Sequence, residues 1–186
     1  MNRYVQAGTG VLIGFLKTAC LKLTRNGSFH SGGISRVSPR TEITLDKRGS
    51  LTIGKGFKMR SGSKLRVRPN AYARIGDNFS MSNNCYVVCR DSIQIGNDVI
   101  LAPSVKIYDH DHDFCCPGGV CEGKYKTRPI SIGNNVWIGA DVVILKGTVI
   151  GDNCVIGAGC ILSGTVPSDS VVIQKREIVI KTIQEN

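Results

Sequence analysis

From residue 132 onward an aliphatic side chain recurs at every sixth position: Ile132, Ile138, Ile144, Ile150, Ile156 and Leu162. Six is neither the 3.6-residue period of a helix nor the two-residue alternation of a half-buried strand. It suits a short strand followed by a sharp turn, and three such units close a triangular coil of about 18 residues. The aliphatic residue points into the coil. The fifth residue of each hexad is small or β-branched (Val136, Val142, Thr148, Cys154, Cys160, Val166), as expected where the wall turns. Gly133, Gly139, Gly151 and Gly157 follow the aliphatic residue, and Gly and Asn are the residues that tolerate positive φ at tight turns. The same phase runs upstream through Ile95, Leu101 and Ile107, through Ile75, Met81 and Val87, and through Ile53, Met59 and Leu65. Five coils stacked at strand spacing make a prism ~24 Å tall.

The phase slips three times, after Leu65, after Val87 and after Ile107. The extra residues are expected to leave the prism as loops near residues 71–74, near residues 90–92 and, as one long extruded loop, over residues 108–129. The reading is an all-β chain, a parallel β-helix of hexapeptide repeats. A helical segment spans 1–33, the β-helix 34–167 with an irregular first coil at 34–52, and a capping segment 168–186. A core this narrow has little room for aromatics, and only 6% of residues are aromatic, with a single Trp.

Leu12, Phe15, Leu16, Ala19 and Leu23 share one face of a helix over about residues 3–25. Lys17 and Lys22 interrupt the apolar run before the ~20 residues that a spanning helix needs, and the run is too short for a secretory leader. The face therefore either packs on the body or lies on a membrane surface. Net charge is +10, and it is uneven: residues 1–74 hold 15 Lys/Arg against 2 Asp/Glu, and residues 75–186 hold 9 against 12. A basic half suits an anionic surface or acidic substrate, or is a solvated face. No nucleic-acid motif accompanies it, so nucleic acid is not an expected partner. Eight cysteines without a CxxC pair, three of them (Cys85, Cys154, Cys160) at interior repeat positions, point to a reduced, cytoplasmic chain, peripheral at the inner membrane surface if the helix binds there.

The repeat, the long loop and the segment Ile132-Gly133-Asn134-Asn135-Val136-Trp137-Ile138-Gly139-Ala140 together resemble the hexapeptide-repeat acetyltransferases. The likeness is to the galactoside and maltose acetyltransferases and to the sugar O-acetyltransferases of surface-polysaccharide clusters, and it covers about residues 50–167. It implies a left-handed coil, a hand opposite to the usual crossover. It also implies a homotrimer with active sites in the clefts between prisms, acetyl-CoA as co-substrate, and a sugar or glycan acceptor. A histidine acts as general base, with a backbone amide stabilising the oxyanion.

Carried onto this chain, an ungapped alignment from Leu101-Ala102-Pro103 puts the catalytic histidine on His112, with His110 as the alternative. Asp109, Asp111 and Asp113 are the candidates to orient the imidazole. Trp137 corresponds to the Trp flanking the CoA channel, the Ala140 amide to the group at the thioester, and Gly139, Ala158 and Ser163 to wall positions along the pantetheine arm. The usual segments at the nucleotide end are replaced, leaving Lys175 and Arg176 to meet the CoA phosphates. Asn83, Asn84 and Arg90 are the candidates for the acceptor. No metal site is expected. The alternatives are N-acetylation of a nucleotide-linked amino sugar, a β-helix zinc enzyme of the carbonic anhydrase type, and a non-catalytic β-helix.

Overall fold

The computed structural model describes residues 3–25, 27–175 and 177. Three parallel sheets form the walls of a left-handed prism. The first face stacks seven strands: Phe29–Ser31, Ser50–Ile53, Tyr72–Ile75, Ser92–Ile95, Ile130–Ile132, Val149–Ile150 and Thr165–Val166. The second face stacks seven, from Arg36–Val37 to Val171–Val172, and the third six, from Glu42–Leu45 to Ile161–Leu162. The first face is crossed at seven levels, so the coil makes six full turns, one more than the repeat alone indicated. Its strands begin before residue 34 and continue past 167. Residues 34–52, expected to be irregular, carry regular strands at Arg36–Val37 and Glu42–Leu45.

The hexad explains itself in register. Ile95 pairs with Ile132, Ile132 with Ile150, and Ile150 with Val166, one level above another. The first positions, apart from the half-buried Leu162, and the fifth positions are buried, so the small fifth residues belong to the core as well as to the turn. The fourth position turns the corner with positive φ: Asn135 (54°), Asp141 (57°), Gly147 (78°), Asn153 (56°) and Gly159 (72°). Asn, Asp and Gly are the residues for which that region costs least.

At the corner between the first and second faces, a side-chain ladder runs up the prism. Lys55 N–H donates to Asp77 Oδ1, Asp77 N–H to Asn97 Oδ1, Asn97 N–H to Asn134 Oδ1 and Asn134 N–H to Asp152 Oδ1, at 2.6–2.9 Å. A Cβ on Gly133 would collide with the Asp152 carboxylate and with the Gly151 backbone. Glycine at the second position is thus a matter of clearance for the next coil.

The first two slips do not leave the prism. In the lower coils the strands on either side of the third corner are four residues long, and alternate residues stay inside: Leu65, Val67, Ala71, Ala73 and Ile75 are all buried, as are Val87, Cys89, Ile93 and Ile95. The added residues widen the coil. The register Ile53↔Ile75 spans 22 residues where Ile132↔Ile150 spans 18. The wider end has room for Phe57 and Phe79, stacked with ring centroids 5.8 Å apart. Only the third slip is extruded. After Tyr108 the chain leaves as a hairpin, His110–His112 antiparallel to Tyr125–Thr127, and rejoins at Ile130.

The helix Arg3–Thr24 lies against the first coil, on Phe29–Ser31 and Arg36–Val37. It docks through its small residues. Gly10, Gly14 and Thr18 are buried, Gly14 sits on the Ser35 carbonyl with no room for a Cβ, and Leu21 reaches the core. Lys17 Nζ donates to the Thr41 carbonyl at 2.6 Å. The apolar face points the other way, with Leu12, Phe15, Leu16 and Leu23 exposed. The helix therefore packs on the body through the face opposite to its apolar stripe, so of the two roles open to that stripe, packing on the body is not the one it takes. Among the described residues no helix is long and apolar enough to cross a membrane.

Candidate functional site

The residues singled out from the sequence fall into two groups on different sides of the prism. The first group gathers at the corner between the third and first faces, where the hairpin emerges. Asp109 is fully buried at its root. Its carboxylate accepts the backbone N–H groups of Arg90 (2.9 and 3.0 Å) and Asp91 (2.8 Å), and the Nδ1–H of His110 (2.9 Å). Burial alone would raise the Asp109 pKa, but the hydrogen bonds from His110 and from the Asp91 and Arg90 amides outweigh it and hold the group below the usual carboxylate value. Burial, reinforced by the Asp109 charge, pushes the Cys89 thiol up, so that thiol stays protonated.

His110 stands edge-on to Tyr108 and Tyr125, with centroids 6.0 and 5.4 Å away. Its neighbour on the hairpin, His112, is exposed and lies 4.6 Å from the Tyr125 ring. Among the described residues His112 has no hydrogen bond or ion pair, which leaves both ring nitrogens open to solvent or a ligand. Asp111 is paired with Lys146, and Asp113 with Lys126 at 2.9 Å, so neither supports a histidine. Of the three candidate carboxylates, Asp109 alone touches an imidazole. The Arg90 guanidinium lies over Tyr125, its Cζ 3.4 Å from the ring centroid, and its buried Nε finds no partner among the described residues.

The second group lies on the second face and at its corner with the third. Trp137 is exposed and stands in register between Ile100 and Val155, with Val171 one level further, in a row of apolar side chains on the outer wall. At the corner beyond it, successive turns stack through Asn84 N–H to Ser61 O, Ser104 N–H to Asn83 O, Asp141 N–H to Pro103 O and Gly159 N–H to Ala140 O, at 2.7–3.1 Å. This corner brings Asn83, Asn84, Ala140 and Ala158 onto one edge. Asn84 is also a turn residue, with φ of 58°. Gly139 is small because the Ala158 backbone occupies the space a Cβ would need. The continuous ladder of side-chain oxygens found at the first corner is missing here, since the third hexad position is Pro103, Ala140 and Ala158 in the upper coils rather than Asn or Asp. Among the described residues the Ala140 N–H has no acceptor, and it is free for a ligand.

Ser163 is exposed at the third corner, two levels beyond the hairpin, and is not joined to the Trp137 group. Lys175 is exposed beyond the last strand, and Arg176 lies outside the described residues. The second face is the wall opposite the hairpin corner, so a single prism does not bring Trp137 to the histidines. Sequence reasoning passed over Tyr125, the ring that both histidines and Arg90 touch, and Lys146, which ties the hairpin to the body. Lys124-Tyr125-Lys126-Thr127 does alternate in the manner of a strand, a signal easily lost in a stretch outside the repeat. Among the described residues no cluster of His, Cys, Asp and Glu is arranged to hold a metal ion.

Comparison with known proteins agrees with this architecture. Residues 129–164 match the bacterial transferase hexapeptide family, six repeats. The chain is 37% identical over 116 residues to a galactoside O-acetyltransferase of Escherichia coli, a match covering 59% of this chain and 57% of that protein. It is 27% identical over 132 residues to an E. coli protein named as a lipopolysaccharide biosynthesis O-acetyl transferase, WbbJ, with 67% of each chain covered. A solved hexapeptide-repeat acetyltransferase of Vibrio cholerae, in complex with acetyl-CoA, superposes with a TM-score of 0.50 at 26% identity, over 90% of this chain and 79% of that one. The chain spans a little over half the length of that galactoside O-acetyltransferase, and with its coils, its αL corners and its extruded hairpin it is similar to the hexapeptide-repeat transferases.

Proposed function

We propose that the protein transfers an acetyl group from acetyl-CoA to a sugar hydroxyl of a bacterial surface polysaccharide, in clefts between the prisms of a homotrimer. The observation that carries this reading is the placement of the two groups. The histidine hairpin and the Trp137 wall lie on opposite sides of one prism, and side-by-side packing around a threefold axis sets the hairpin of one copy against the wall of the next. The relatives named for galactoside and lipopolysaccharide O-acetylation support the acceptor class, and the acetyl-CoA complex of the solved relative supports the donor.

In this reading His112 removes the proton from the acceptor hydroxyl as its oxygen attacks the thioester carbonyl. The free Ala140 N–H donates to the developing oxyanion, and as the intermediate collapses the C–S bond breaks and the imidazolium gives its proton to the departing CoA thiolate. Trp137 and the apolar row beside it line the pantetheine arm, Gly139 and Ala158 permit its close approach, and Lys175 meets the nucleotide end. Asn83, Asn84 and Arg90 contact the acceptor.

A second assignment of the base has a specific observation behind it. His110, and not His112, carries the carboxylate partner that fixes a tautomer and leaves Nε2 as the acceptor. Acetyl-CoA turnover by thiol release, over neutral, acidic and amino sugars, separates the readings. His112→Ala lowers kcat about 10²–10⁴-fold if His112 is the base, while His110→Ala then acts mainly through hairpin geometry. The reverse ranking assigns His110. Activity confined to amino sugars selects N-acetylation. Absence of acetyl-CoA binding by the intact trimer rejects the proposal.

A further inference from the structure

The helix Arg3–Thr24 turns four of its large apolar residues away from the protein. Leu12 (59% exposed), Phe15 (66%), Leu16 (57%) and Leu23 (84%) follow one stripe, opposite the docked Gly10, Gly14 and Thr18. Exposed apolar residues scattered singly are ordinary, but a contiguous stripe of four marks a surface that meets something.

Charge narrows what that is. No Asp or Glu precedes Glu42, whereas Arg3, Lys17, Lys22, Arg25, Arg36 and Arg40 fall in the same stretch. Beside the helix, a groove against the first coils is lined by Val11, Ile34, Arg36, Lys55 and Lys58, again apolar and cationic together. A second copy packed side by side would present the same cationic level at the same height, and like charge would meet like. The acidic surplus of the chain lies in residues 75–186, toward the other end of the stack. An apolar stripe edged by Lys and Arg fits a bilayer interface instead, with acyl chains for the Leu and Phe side chains and anionic headgroups for the cations.

We propose that the exposed stripe of the helix Arg3–Thr24 seats the protein on an anionic membrane surface. Leu12, Phe15, Leu16 and Leu23 enter the acyl boundary, and Lys22 and Lys55 lie at headgroup level. This goes beyond the acetyl-transfer reading and does not depend on it.

Flotation of the full chain with phosphatidylglycerol-containing vesicles and with pure phosphatidylcholine vesicles tests the proposal. Binding is expected to the anionic vesicles, weakening as salt is raised to about 0.5 M. Phe15→Glu with Leu16→Glu should lower the bound fraction roughly tenfold or more, with an unchanged circular dichroism spectrum. Phe15→Leu with Leu16→Met should float as the parent does. Failure of the parent chain to float with anionic vesicles overturns the proposal, as does undiminished flotation of the double Glu variant. A change in sedimentation mass of that variant without lipid also overturns it, because the stripe would then be covered by a second copy.

Discussion

Asp109 shows how one side chain can tie together levels of the fold that lie far apart in sequence. It joins the root of the hairpin to the corner at Arg90 and Asp91, 19 and 18 residues earlier in the chain, and it orients His110. Asp109→Asn keeps the shape but weakens the charge-assisted bonds, and should cost about 1–3 kcal/mol at neutral pH. Because the folded pKa is depressed, this contribution is fully present above the unfolded value near ~4 and is lost as pH falls through the folded value. Urea midpoints of parent and variant should therefore converge on acidification, and a constant gap down to the lowest pH at which both fold would reject this account. The position of the histidines was legible in the sequence, since they sit where the hexad breaks. The choice of Asp109 over Asp111 and Asp113 was not. It depends on which carboxylate meets the amides of the coil below, and only coil stacking decides that.

At the scale of the element, a coil is a closed triangle whose corners carry the constraint. Period and phase gave the interior residues and placed Trp137 outside. They misjudged the slips at residues 71–74 and 90–92, because a coil can absorb extra residues by lengthening two of its strands. An alternation of buried residues through the slip, as in Leu65, Val67, Ala71 and Ala73, is the signal that separates widening from extrusion. Two glycines put the corner argument to the test. Gly133→Ala drives a methyl group into the next coil, where backbone rather than a flexible side chain would have to yield, and should destabilise by about 1–3 kcal/mol. Gly8→Ala, on the helix with nothing within 4 Å of the added methyl group, should stabilise by roughly 0.5–1 kcal/mol. Thermal unfolding of the two variants measures the contrast, and equal shifts would mean that clearance does not explain glycine at the corners.

At the scale of the whole molecule, opposite sides of the prism carry the two halves of the proposed site, and polarity runs along the stack from a cationic first end to a mildly acidic second. If the site is shared between copies, inactive chains can rescue one another. Equal amounts of a Trp137→Ala chain and a His112→Ala chain, unfolded and refolded together, should regain about a quarter of parental turnover by random pairing. Recovery of none would show that each chain carries a complete site. The N-terminal helix was legible as amphipathic, but its orientation was not, because the dominant apolar face would ordinarily be expected to dock. Glycine reversed that choice by allowing backbone to approach backbone at Ser35. The contact has another consequence. Parallel coils have no intrinsic stopping rule, since the lowest rung of one stack can accept the highest rung of another as readily as it accepts its own neighbour. The helix lies on the first rung of two of the three faces, and Gly14, by letting it sit there, puts it in the way of such end-to-end growth.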